Sequence, residues 1–317
     1  MLKSGLYEQI INKQMREVLD LATDKLSTTA SIDGAEASKI LAKYVAEIIE
    51  KGLDDVVSNG GDIQTQIHLT NKIVSVITDE TGEDSFSGLS VDKHAEQLLM
   101  ILDKMHVQGS KTAMPRPETS IARSSLFTGS IHEPSMFSEL KKEISSCNHI
   151  DMLVSFIKWS GLRLLMDELT AFTQNGGELR IITTSYMGAT DIKAVEMLRQ
   201  LPNTQIKVSY DTKRTRLHAK TYVFHRETGF TTAYVGSSNL SDAAISSGLE
   251  WNVKVTAKDL PETIQKISAT FDSYWNSSDF ETYDEESREQ LSRALKAEKY
   301  FESNSDQPYT FDIIPYP

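Results

Sequence analysis

Between residues 149 and 275, short apolar runs alternate with amphipathic helical stretches. This alternation limits the possible folds more than any other feature. His149–Trp159 (HIDMLVSFIKW) has a buried-strand pattern, and Glu178–Thr184, Gln205–Tyr210, Ala219–His225 and Thr231–Val235 follow as strands, with another near Leu249–Val255. Gly161–Thr173, Asp191–Gln200 and Leu260–Trp275 place their apolar residues at helical spacing. Turn residues separate them: Asn175-Gly176-Gly177, Pro202-Asn203 and Glu227-Thr228-Gly229. Strands and helices in this order imply an α/β fold, a mixed sheet flanked by helices.

The first hundred residues follow a different period. Leu6, Ile10 and Ile11 share a helical face, as do Val18, Leu19 and Leu21, and a second helix spans about Asp33 to Lys51. Ile63–Thr78 and Val91–Val107 are two more candidates, so a small all-α domain of four helices is expected. Gln108–Ser125, with Gly109, Pro115 and Pro117 among Ser and Thr, reads as a linker. The expected organisation is a helical domain at 1–107, a linker at 108–125, an α/β domain at 126–280 and an acidic helical tail at 281–317. The closing Ile313-Ile314-Pro315-Tyr316-Pro317 looks like a lead-in to a further domain.

The net charge of −12 argues against a nonspecific nucleic-acid coat, but the charge is uneven. Residues 1–125 hold 13 basic and 19 acidic side chains, and residues 281–317 hold 4 and 9. Residues 126–280 hold 16 and 17, and this nearly neutral section contains the cationic run Lys213-Arg214-Thr215-Arg216. The single cysteine, Cys147, excludes an intramolecular disulfide and a cysteine-based zinc site. No apolar run reaches the roughly 18 residues of a membrane span, and the start lacks a signal-peptide core, so a cytoplasmic protein is expected.

The chemistry concentrates in Arg216-Leu217-His218-Ala219-Lys220, then Gly236-Ser237-Ser238-Asn239, then Glu250. Residues two apart on a strand face the same side, so the His218 imidazole and the Lys220 ammonium lie together. A histidine can attack phosphorus while a lysine stabilises charge on the phosphoryl oxygens. Small residues at Gly236, Ser237 and Ser238 let backbone N–H groups, the Ser237 hydroxyl and the Asn239 amide approach a phosphate. Glu250 can accept the second N–H of His218, or pair with Lys254 or Arg216 as ordinary surface charge. Lys213, Arg214 and Arg216 fit a phosphate-tracking loop.

This set resembles the phospholipase D superfamily, with its H-x-K motif, a G-S-x-N and a later glutamate, over roughly Leu126–Trp275. The full pattern has an aspartate five residues after the lysine. Here that position is His225. Some restriction-type endonucleases of the superfamily also lack it, which weakens a lipid-transferase reading more than a nuclease one. The resemblance implies a metal-independent phosphodiesterase with a phosphohistidine intermediate and no cofactor. One histidine attacks and a second protonates the leaving oxygen. Only one H-x-K occurs among the seven histidines, so the resemblance implies a homodimer with DNA as partner.

The chain also resembles the N-terminal part of bacterial superfamily 2 helicases that carry such a nuclease ahead of the motor, in defence or restriction. Ser155–Arg163, Thr183–Thr190, Tyr210–His218 and Phe311–Pro317 carry that likeness. No G-x-x-x-x-G-K-[ST] phosphate loop is present, so ATP hydrolysis by that route is excluded for this polypeptide. The alternative is a non-catalytic nucleic-acid or partner-binding module of a helicase. A lipid substrate is disfavoured by the lack of a basic amphipathic helix or anchor.

The remaining histidines read as structural. His68, His94, His106, His132 and His149 lack partners at metal-ligand spacing, and His225 reads as an exposed strand end. No metal site is expected. Ser155, Lys158, Ser185 and Tyr186 lie at strand ends that can line a ligand crevice. Trp159, Trp251 and Trp275 are expected in the core.

Overall fold

A computed structural model describes residues 3–102, 114–212, 216–241 and 250–304. The chain divides into two compact units, Met1–Gly109 and Ser110–Pro317.

In the first unit, helix α1 spans Lys13–Leu21, α2 Ala37–Ser58 and α3 Ile63–Thr81. The helix expected from Leu6 begins only at Lys13, where the Asn12 side chain accepts from the Met15 N–H as N-cap. Asp62 caps α3 in the same way, and Gly82, in the left-handed region at φ 64°, ends it. The fourth helix, expected at 91–107, does not form over 91–102. Asn71 of α3 binds both backbone groups of Val91, at 2.8 and 3.0 Å. Gln64 donates to the Lys93 carbonyl, and the Asp92 side chain closes a turn on the His94 N–H. Local side-chain bonds to the backbone thus displace the helical ladder. Residues 103–107 of that expected helix lie outside the described residues.

The second unit is an eight-stranded sheet in the order β1-β7-β6-β5-β2-β3-β4-β8. Its strands are β1 Ser125–Phe127, β2 His149–Val154, β3 Glu178–Thr184 and β4 Thr204–Ser209, then β5 Lys220–His225, β6 Thr232–Gly236, β7 Asn252–Thr256 and β8 Glu281–Thr282. β2, β3 and β4 pair in parallel and every other pair is antiparallel, so the sheet is mixed, as expected.

Alternation along the strands separates the two faces. Ile150, Met152, Val154, Tyr222, Phe224 and Tyr234 point into the larger core. That core is closed by α4 (Met136–Ile144), α6 (Met166–Gln174), α7 (Ile192–Arg199) and α9 (Ser287–Asn304). On the other face Leu153, Ile182 and Leu217 pack on Phe271 of α8 (Pro261–Trp275).

Two stretches belong to this unit more fully than their composition suggests. From the segment read as a linker, Glu118 and Thr119 bind the buried Glu139 carboxylate through their N–H groups, and Ser124 N–H donates to Asp259. From the tail, Tyr283, Leu291 and Leu295 enter the core.

One buried polar network replaces apolar packing inside the larger core. Glu143, fully buried, accepts from Arg226 (2.6 Å), Lys254 (2.9 Å), Thr232 (2.8 Å) and Tyr234 (2.9 Å). The two cations hold its carboxyl below the usual range although burial alone would raise it. Lys254 is therefore not the partner of Glu250.

Candidate active site

The site lies where the C-terminal end of β2 meets the start of β5, with Val154 paired to Lys220. His218 stands two residues before β5 and is exposed, whereas Lys220 is buried on the core face with Tyr222 and Phe224. The Lys220 Nζ lies 2.9 Å from His218 Nδ1 and 3.1 Å from Nε2, and donates to the His218 carbonyl at 2.8 Å. The spacing of two thus brings imidazole and ammonium into contact.

Burial, then the charge of Lys220, lowers the His218 pKa below its ordinary value. This favours the neutral imidazole, the state in which a ring nitrogen is nucleophilic. Burial also lowers the Lys220 pKa, and the charge of Glu250 opposes that shift. Glu250 acts electrostatically on Lys220 and on buried Tyr222. Among the described residues no hydrogen bond joins Glu250 to His218.

The loop after β6 forms the second side. Gly236 is required there, because a Cβ would overlap the Trp251 carbonyl and the Asn252 side chain on β7. Ser237 is fastened to the residue after Glu250: its Oγ accepts from the Trp251 N–H at 3.1 Å, and its N–H donates to the Trp251 carbonyl at 3.1 Å. Ser238 is 1% exposed, and its hydroxyl accepts from Asn252 Nδ2 at 2.7 Å while its carbonyl accepts from Tyr222 at 2.9 Å. It braces the loop from inside.

Asn239 Oδ1 accepts from the Phe156 N–H at 3.2 Å. Next to it, the Lys158 N–H donates to the Leu240 carbonyl at 2.8 Å, and Ile157 bridges Leu240. The loop after β6 is thereby pinned to the loop after β2. Gly161 lets α5 (Trp159–Leu162) approach, since a Cβ there would lie 2.6 Å from the Ser241 backbone.

His218, Lys220, the Gly236–Asn239 loop and Glu250 therefore gather around the ends of β5, β6 and β7. Arg216 lies with its guanidinium 5.9 Å from the Tyr186 ring centroid. Lys213 and Arg214 lie outside the described residues. Ser155 donates to the Ala219 carbonyl, so it supports the His218 segment from β2. Lys158 faces Asp191 at 3.4 Å. Trp251, expected in the core, is 63% exposed, its backbone bonded to Ser237 just before β7 begins. Asn252 and Tyr222, which brace the loop, were not singled out by sequence. Their only signal was their position on strands flanking the motifs. Cys147 is not a competing nucleophile, because burial pushes its thiol up to about 12.

His225 is not merely an exposed strand end, and His149 is not without partners. Both contact Asp151, at 2.8 and 2.7 Å, at the opposite end of the sheet from His218. The register of β2 against β5 brings them together, and that register is not readable from spacing within either strand.

Residues 140–275 match the family profile described as "Cardiolipin synthase, PLD-like domain". Among solved structures, NucT from Helicobacter pylori is 20% identical with a TM-score of 0.38, covering 48% of this chain and 94% of that one. The phospholipase D family member Nuc from Salmonella typhimurium is 18% identical with a TM-score of 0.37, covering 51% and 99%. Phosphatidylserine synthase from Haemophilus influenzae Rd KW20 is 11% identical with a TM-score of 0.37, covering 56% and 46%. No curated protein matches. The mixed sheet, its flanking helices and the 140–275 match give this part of the chain a phospholipase-D-like fold.

Proposed function

We propose that the chain is a metal-independent phosphodiesterase acting on DNA, with His218 as nucleophile. The observation that carries this reading is the exposed imidazole in contact with the Lys220 amino group beside the pinned Asn239 loop. A His218 ring nitrogen attacks phosphorus and a P–N bond forms as a P–O ester bond breaks. The leaving oxygen takes a proton from a second histidine. That histidine then accepts a proton from water as the water attacks phosphorus and breaks the P–N bond, and His218 is restored. Lys220 and the Asn239 Nδ2 group hold the non-bridging oxygens, Asn239 Oδ1 being already engaged by Phe156.

The second histidine is His218 of the partner subunit in a two-fold dimer. The surface next to the motif supports this. Leu126, Val235 and Val253 form a cross-strand row, 38–45% exposed, on the sheet face opposite Lys220, and Trp251 precedes it beside Ser237. A second copy that buries this row brings the two motifs toward one axis.

For DNA, support comes from the cations around the site. Arg216 lies on one side. On the other, past Lys158, a cavity of about 440 Å³ is lined by Trp159, Asp191, Lys193, Lys296 and Lys299 among others. No described helix is long and apolar enough to cross a membrane. Attachment to a helicase motor in restriction or defence rests on the resemblance of the quoted sequence stretches.

The test is incubation with single- and double-stranded DNA in EDTA, with a His218→Ala control. Cleavage that survives the chelator and disappears in the variant is expected. Salt-dependent DNA binding without cleavage would establish the binding-module alternative instead.

A further inference from the structure

The end of the sheet remote from His218 holds a second histidine cluster that this chemistry does not use. His149 opens β2 and His225 closes β5, and the antiparallel register sets them opposite each other. Asp151, two residues along β2, shares their face. His225 is five strand steps from Lys220, roughly 17 Å at about 3.3 Å per residue.

We propose that His149, His225 and Asp151 bind one divalent transition-metal ion of the zinc class. Their ligand atoms all lie within 4.8 Å of one another. His149 Nε2 is 2.7 Å from Asp151 Oδ1, and His225 Nε2 is 2.8 Å from Oδ2. Small side-chain rotations bring such a set onto an ion with bonds of about 2.0–2.2 Å.

Two further observations point to a cation. The first is His149 Nδ1, which lies 3.2 Å from Glu178 Oε2. A ligating histidine that donates its other ring N–H to a carboxylate is the usual support of a metal-bound imidazole. The second is charge. Arg180 binds Asp151 through Nε (2.7 Å) and Nη2 (2.9 Å) and reaches Asp272 at 3.0 Å. Asp151, Glu178 and Asp272 bring three negative charges to this cluster and Arg180 one positive charge. The remaining two match a divalent ion held by neutral imidazoles.

Arg180 does not block the site. Each carboxylate oxygen has two lone pairs, and the guanidinium takes one on each. Two imidazoles and one carboxylate leave a fourth tetrahedral position for water, with the His149 and His225 side chains 20% and 28% exposed. Imidazole ligands favour zinc or its neighbours over magnesium. Bound there, the ion clasps β2 to β5, and it plays no part in the attack by His218.

The test is titration of the chelator-stripped full chain with Zn²⁺ by calorimetry, and with Co²⁺ by visible absorption. About one Zn²⁺ per chain is expected, with a tetrahedral cobalt spectrum that Zn²⁺ abolishes. Glu178→Gln is expected to weaken Zn²⁺ binding about 10–100-fold. His225→Gln is expected to weaken it more than that, and His218→Ala to leave it unchanged. The absence of saturable Zn²⁺ binding, or a cobalt spectrum that stays octahedral on the unmutated chain, overturns the proposal without reference to any variant. Equal binding by the unmutated chain and His225→Gln overturns it as well.

Discussion

The two ends of β5 carry histidines in opposite electrostatic settings. At the start of the strand His218 rests against the Lys220 ammonium, and burial and that charge both lower its pKa. At the far end His149 and His225 rest on Asp151. Burial alone would lower the His149 pKa, but the bond to Asp151 and its charge raise it. Asp151 itself is held well below the usual carboxylate range. Its burial is outweighed by hydrogen bonds from His149, His225 and Arg180. The same side chain thus has its pKa lowered beside an ammonium, at His218, and raised beside a carboxylate, at His149.

Substitutions at the two ends sharpen this contrast. His218→Ala is expected to lower hydrolysis in EDTA by at least about a thousand-fold. It should leave the urea midpoint nearly unchanged, since His218 is exposed and makes no core contact. Asp151→Asn is expected to do the reverse. It leaves Arg180 with the exposed Asp272 as its one remaining carboxylate and should cost about 3 kcal/mol in urea unfolding. Hydrolysis under conditions where the variant stays folded should persist. Equal loss of activity and stability in both variants would erase the distinction.

Between these extremes, Asn239→Ala is expected to lower kcat about a hundred-fold, as removal of one charge-stabilising donor does. Trp251→Asp is expected to weaken the dimer by roughly thirty-fold, about 2 kcal/mol for a central aromatic anchor, measured by sedimentation. The smallest effect is on pH. Attack needs neutral His218, so the acid limb of kcat/KM should fall below pH 6.5 and not above it. In Lys220→Met the residual activity should show that limb moved upward, because a positive charge that lowers the His218 pKa is gone.

The start of β5 was legible in the sequence because its parts are contiguous. His218 and Lys220 are two apart, and Gly236–Asn239 follow the next strand of the same hairpin. The far end was not, because Asp151 and His225 meet through a register set by the whole sheet. The distinct roles of Ser237 and Ser238 were equally hidden. Alternation gives the face of a residue but not that Trp251 and Asn252 wait there to bind it. At 91–102, apolar residues at helical spacing form no helix, because Asn71 and Gln64 take the backbone groups of Val91 and Lys93 and Asp92 closes a turn on His94.

The covalent intermediate tests the central claim most directly. A short DNA duplex, labelled on each strand, is mixed with the chain in EDTA and quenched in alkaline denaturant, which preserves a phosphohistidine bond. Early time points should show labelled DNA covalently held by the protein, mapped to His218 and absent from His218→Ala. Product formation with no adduct at any time, or an adduct that maps to another residue, would contradict it.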